Sequence, residues 1–430
     1  MVSVLGEKNH FINEKLVYSV YAFYSTTLLS SAFGTAVTVS LLYVLFIVCL
    51  VFLVRCRTKF TLLPTDKLIF ALVIWMFITN FGAENFGSGV YFIIFEYRSL
   101  WMAPVIAFSL SLFCSLKKII IPLLVGLLFN IGGHVLILSE HFSPFDYFAA
   151  FVGQLGLEPR VGDFDLNGKF VYAIVVILLS GLICFALRKK LSSISRNFVG
   201  VSLLIGIFVI INLHSVIFVN ARSGFAGSII VLGVFFCLNI FHAARSGIRG
   251  FGLFAAIVLL GLGFFLRFVP HGLDVAFENA YGFLFEERYR SSVGQRLMIW
   301  FGLSEFGARE LLFGVATGDV HEKMVALYGG SDIGSYFIDW RDLHSQYLWL
   351  IFQCGVFGLA LYVVLAVRFL SAAISEASGI WYAALGIALF AVLLGFGLFN
   401  SIFTALREGH LVGLLVIAWS VFARVGGHAR

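Results

Sequence analysis

The recurrence of apolar stretches long enough to cross a bilayer limits this chain more than any other feature. Residues 34–54, 198–217, 250–266 and 346–366 contain no Asp, Glu, Lys or Arg. Each approaches the roughly 20 residues that a helix needs to span the hydrocarbon layer. Backbone groups left unpaired in lipid are costly, so such stretches must be helices. With 60% apolar residues, 12% charged residues and 49 Phe in 430 positions, the chain could not hide its apolar surface in a soluble globule. We read it as an all-α polytopic membrane protein, a single integral domain over 1–430.

Spans are expected near 16–29, 34–54, 67–83, 99–116, 119–138, 169–187, 198–217, 224–242, 250–266, 346–366, 379–400 and 409–423, which makes about twelve. The short break Ser30-Ser31 leaves one tilted helix as an alternative for the first two. Lys8, Glu14 and Lys15 precede the first apolar run and more spans follow, so no cleaved signal peptide is read. With the N-terminus inside, 17 of the 29 Lys/Arg and 4 of the 23 Asp/Glu fall on the cytoplasmic side. That bias orients the chain with both termini cytoplasmic. The net charge of +6 is then mostly sidedness, and nucleic acid is not an expected partner. Cys49, Cys56, Cys114, Cys184, Cys237 and Cys354 lie within or at the ends of apolar runs. Neither a disulfide framework nor a thiolate metal site is expected from them.

Three outer segments remain. Residues 84–98 are short and aromatic, with Phe86, Tyr91, Phe92, Phe95 and Tyr97 around Glu96 and Arg98, which reads as interfacial anchoring. Residues 139–168 carry Glu158-Pro159-Arg160 and Asn167-Gly168. The third, a large loop over 267–345 between the ninth and tenth spans, is the longest polar excursion in the chain. Within it, polar and apolar positions recur at helical spacing over about 292–307, which predicts an amphipathic helix on the membrane surface. Residues 311–318 are glycine-marked and read as a turn near the bilayer. The acidic stretch 319–342 reads as a flexible cover, and a loop of this length usually carries function.

Basic groups at the outer mouths of the spans are the candidates for chemistry: Arg160, Arg222, Arg296 and His344. A guanidinium fork holds phosphate oxygens bidentately and keeps its charge, so several could bind a lipid-linked diphosphate and stabilise it as it leaves. A histidine beside them could take the proton of an acceptor hydroxyl. The plainer readings stay open at this point. Arg160 could pair with Asp163 or Asp165, Arg222 and Arg296 could anchor headgroups, and His344 could cap a helix. His134 and His214 read as buried, hydrogen-bonded residues. No metal-ligand spacing is present in the sequence.

Four sequence pieces resemble the bacterial O-antigen ligase/polymerase superfamily. They are Arg160-Val161-Gly162 with Asn167-Gly168; Asn220-Ala221-Arg222-Ser223-Gly224; Gly294-Gln295-Arg296-Leu297-Met298-Ile299-Trp300 with the glycine run to Gly318; and His344-Ser345-Gln346-Tyr347-Leu348 with Gly355 and Gly358 after it. Ser345 departs from the asparagine usual there, and a hydroxyl cannot supply an amide's paired donor and acceptor. The resemblance implies a glycosyltransferase-C-like fold in the bacterial inner membrane with its active face periplasmic. It implies a metal-independent transferase, without cofactor, acting on an undecaprenyl-diphosphate-linked glycan. Arg222 and Arg296 would engage the diphosphate, Arg160 would be an auxiliary contact and His344 would assist the acceptor. Polymerase activity is the favoured expectation, with ligation to lipid A-core as the alternative and a transporter as the reading from another class. Implied partners are the lipid-linked donor, an acceptor glycan or lipid A-core, membrane lipid, and a flippase or chain-length regulator.

Overall fold

The computed structural model describes residues 10–30, 35–57, 59–115, 117–126, 174–183, 227–228, 230–231, 233–234, 278–285, 292–329, 343, 345–374, 380–403 and 406–427. These are overwhelmingly helical, and no strand occurs among them. The principal helices are α1 (His10–Ser30), α2 (Thr35–Cys56), α3 (Pro64–Asn80), α4 (Phe86–Glu96) and α5 (Arg98–Ser111). They continue as α6 (Ser292–Gly302), α7 (Ala308–Phe313), α8 (Val320–Tyr328), α9 (Gln346–Ile374), α10 (Ile380–Ala391) and α11 (Leu406–Gly427).

Among the described residues, Val37–Cys56 and Gln346–Ala372 are long and apolar enough to cross a membrane. The pair α4 and α5, bent by 46° at a one-residue joint, makes a third if counted as one span. Shorter apolar helices lie at Ile174–Ile183, Tyr382–Phe396 and Gly409–Val425. The described residues are thus all-α, and two or three of their spans are long and apolar enough to place the chain in a membrane. The expected spans 198–217 and 250–266 lie outside the described residues.

The start of α3 and the packing of α5 have local causes. Pro64 opens α3 at the position where its missing N–H costs nothing, and Asp66 Oδ2 accepts the Leu63 N–H at 2.8 Å. α5 lies against α11, where Gly413 leaves room for the Ser99 backbone, whose carbonyl oxygen would sit 2.8 Å from a Cβ at that position. The two ends of the bundle are built differently. At one, Asp66 near the start of α3 pairs with Arg424 near the end of α11, whose guanidinium also donates to Thr61 O at 2.8 Å. At the other, four helices lose regularity: α4 and α5 bend at their joint, α10 runs into a π-helical stretch Val392–Phe396, and α9 breaks at Cys354 and Gly355.

Residues 84–98, read as a short aromatic outer segment, contain an 11-residue helix, Phe86–Glu96, and Arg98 is buried. One expectation changes. The first part of 319–342 is not a flexible cover. Val320–Tyr328 is a helix whose Val320, Met324 and Tyr328 recur every four residues and are all buried.

Candidate functional site

The irregular end is where the segment 303–329 meets the first turns of α9. A break in an apolar helix frees carbonyls that must find other donors. Here Phe352 O accepts the Val315 N–H at 2.8 Å, and Cys354 O accepts the Trp75 indole N–H at 3.0 Å. Gly355 takes φ +68°, and a Cβ there would run into the Leu312 carbonyl. Gly314, at φ +79°, lies as close to the Gln353–Cys354 peptide. Both positions need glycine for the left-handed backbone and for the close approach. The backbone of 312–315 therefore plugs the gap in α9. Ala316 follows with φ +79°, a strained value for a residue with a side chain.

From the plug the chain turns onto α3 and α4. The Asp319 carboxylate accepts the Glu84 and Asn85 backbone N–H groups, each at 2.9 Å, just before α4. A negative charge there also suits the positive end of that helix. Asn80 Oδ1 accepts the Gly318 N–H at 3.0 Å, and Asn85 Nδ2 donates to Glu322 at 2.6 Å. Lys323 closes the segment on Glu310 at 2.7 Å and lies over the Phe306 ring. Its ammonium holds the Glu310 carboxyl below the ordinary glutamate range, while burial pushes the Tyr328 hydroxyl up.

Behind this segment lies a buried neutral network. Tyr97, at the α4–α5 joint, donates its hydroxyl proton to Gln353 Oε1 at 2.7 Å and accepts from Gln346 Nε2 at 3.2 Å. Gln346 Oε1 accepts the Phe403 N–H at 3.0 Å, and the Gln346 N–H donates to Asn400 O at 3.0 Å. One side chain thus ties the start of α9 to the α10–α11 turn and to the joint. The next residue, Arg98, donates from Nε to His410 Nε2 at 3.1 Å and from Nη1 to Phe95 O. Accepting at Nε2 leaves the His410 proton on Nδ1, a buried atom that lacks a partner. Gln353 Nε2, Ser345 Oγ and Thr317 Oγ1 are also buried and unpartnered. Orphans of this kind are uncommon in a packed interior and mark where a polar ligand or water would gain most.

Of the residues singled out from sequence, Arg160, Arg222 and His344 lie outside the described residues, as do His134 and His214. Arg296 lies on α6, whose backbone is described. The structure does describe what flanks two of these positions. Leu343, Leu348, Trp349 and Phe352 pack in one apolar cluster with Ile299 of α6, Phe306, and Val320, Met324 and Tyr328 of α8. The helix bearing Arg296 and the residues bracketing position 344 therefore share a core. Among the described residues, no three His, Cys, Asp or Glu side chains gather as metal ligands would.

The sequence analysis placed Tyr97 and Arg98 at the interface and Gln346 in a motif without seeing their buried network, and passed over Gln353 and His410. The signal was present for the glutamines, since polar residues seven apart in an apolar run fall on one helix face. Nothing in the sequence joins Arg98 to His410, which are 312 positions apart. No family model and no curated protein matches the chain.

Proposed function

We propose that this chain is a metal-independent transferase of lipid-diphosphate-linked glycans. In this reading about twelve spans lie in a bacterial inner membrane, with both termini cytoplasmic and the 267–345 segment periplasmic. Arg222 and Arg296, with Arg160 as an auxiliary contact, hold the undecaprenyl diphosphate and stabilise it as it departs. His344 takes the proton of the acceptor hydroxyl. Polymerisation of an O-antigen or other surface polysaccharide is favoured, and ligation to lipid A-core is the second form of the same chemistry.

The supporting observation is the shared core of α6 and the residues around position 344. Donor and acceptor residues must work within a few ångströms of one another. Two positions about 48 apart in sequence can do so only if the chain between them folds back, as packing Ile299 into the same cluster as Leu343 requires.

A transporter is the competing reading, and the break in α9 favours it, since discontinuous helices often line substrate sites. Yet the carbonyls of Phe352 and Cys354 are already taken by Val315 and Trp75. One experiment separates these readings: purified protein in bilayers, supplied with lipid-linked repeat units extracted from the producing cells, with and without lipid A-core. Longer lipid-linked chains would indicate polymerase, and glycan on the core ligase. If neither product forms, or if Arg296→Ala yields as much product as the unaltered protein, the diphosphate role is lost.

A further inference from the structure

Three consecutive apolar side chains of α7 point outward at the end of the bundle where α9 breaks. Leu311, Leu312 and Phe313 are 39%, 43% and 41% exposed. A water-facing cover would place such residues inward, as α8 does with Val320, Met324 and Tyr328. A contiguous apolar patch on an otherwise polar segment marks a contact with something apolar.

The neighbours of the patch identify that partner. The Phe313 ring lies 5.6 Å from Phe357 of α9 and 6.0 Å from Trp75 of α3, and Trp75 lies 5.8 Å from Phe357. Phe357 and Val356 head an exposed apolar stripe on α9 that continues through Val364 and Val367. On α3, Ile74 and Ile78 are exposed beside it. α9 is long and apolar enough to cross a membrane, and an exposed apolar stripe on a spanning helix suits acyl chains. The patch on α7 extends the stripe at Phe357 with no charged residue between.

The aromatic neighbours suit the hydrocarbon boundary, where Phe313 lies beside Phe357 and Trp75. A tryptophan with its N–H occupied and its ring among phenylalanines is a usual resident of that level. Of the charged groups of the same segment, Glu310 is held by Lys323 and Asp319 by the start of α4.

We propose that Leu311, Leu312 and Phe313 insert among the phospholipid acyl chains of the leaflet at this end of the bundle. The bilayer thereby holds α7 against the break in α9, and the plug that closes the break is seated by lipid as well as by protein. The inference does not depend on the transferase reading.

Photo-crosslinking of the full chain tests it. The residue p-benzoylphenylalanine replaces Leu311, Phe313 or Glu322, one at a time, and each protein is reconstituted in nanodiscs of phosphatidylethanolamine and phosphatidylglycerol. Phe313 touches two aromatic rings, so the exposed Leu311 position guards against a variant that fails to fold. After irradiation, intact mass should show one phospholipid added at 311 and at 313, and none at 322. Covalent pairs of the chain would make the patch an interface between copies and overturn the proposal. Absence of a phospholipid adduct at both 311 and 313 would also overturn it, as would an equal adduct at 322, which would put the whole segment in lipid.

Discussion

The two ends of this bundle hold themselves together by opposite means. One relies on charge: Asp66 and Arg424 form a buried ion pair between continuous helices, with Arg424 lying over the Phe108 ring. The other relies mainly on neutral groups: a tyrosine, two glutamines and backbone carbonyls form a network around helices that bend, bulge and break, with the buried Arg98 donating to His410 beside it. Even the π-helical carbonyls of Leu393 and Leu394 are taken by hydroxyls, those of Tyr362 and Tyr347, at 2.8 and 3.0 Å. A buried ion pair tolerates little change, because loss of one partner strands the other charge. A neutral network can exchange partners at lower cost, because no buried charge is stranded when one bond is lost.

This contrast can be broken by substitution. The largest effect is expected from Asp66→Ala, which would leave Arg424 buried and unpaired at a cost of about 3–5 kcal/mol. Denaturant titration in detergent would measure it, and a cost below about 1 kcal/mol would mean that this end does not depend on charge. Next is Gly355→Ala, which forces a side chain into a left-handed conformation against the Leu312 carbonyl, with strain alone of about 1–3 kcal/mol. Gly82→Ala is its control, since a Cβ there meets nothing within 4 Å. Equal unfolding midpoints for the two variants would show that the plug is not seated.

Tyr97→Phe removes the hydroxyl shared by Gln346 and Gln353, and should cost about 1–3 kcal/mol for the polar groups left unpaired. If the neutral end re-pairs easily, the loss will lie at the low end of that range, and the same titration reads it. The smallest effect belongs to the half-exposed pair Lys323–Glu310, worth less than about 1 kcal/mol. Because Lys323 holds Glu310 below its ordinary value of 4.5, the contribution is full above that value and is lost as pH falls through the depressed one. Comparing Lys323→Met with the unaltered protein at pH 7 and below pH 4 should show the difference at the higher pH alone.

The sequence made the helical, membrane-bound character plain because hydrocarbon imposes a length and a composition that no fold can evade. The helix at Ser292–Gly302 was also legible, since its apolar residues recur at helical spacing. α8 was not, because its acidic residues suggested solvent, although the apolar set Val320, Met324 and Tyr328 carried the correct period. The break in α9 was hidden for another reason. Cys354-Gly355 sits in an unbroken apolar run, and only the approach of 312–315 from elsewhere gives the glycine its purpose. Of the basic residues proposed for the site, Arg160, Arg222 and His344 lie outside the described residues. The groups that brace the start of α9 were not legible, because Tyr97, Gln346 and Phe403 come together only through tertiary packing.

The interrupted α9 also bears on the order of assembly. Its freed carbonyls are closed by Val315 and Trp75, both of which leave the ribosome before Gln346 does. When α9 is synthesised, the groups that compensate its irregularity are already in place. A circular permutation that moved α9 ahead of α3 would reverse that order, leaving Phe352 and Cys354 to enter the bilayer with open carbonyls or as a straight helix that must later be broken.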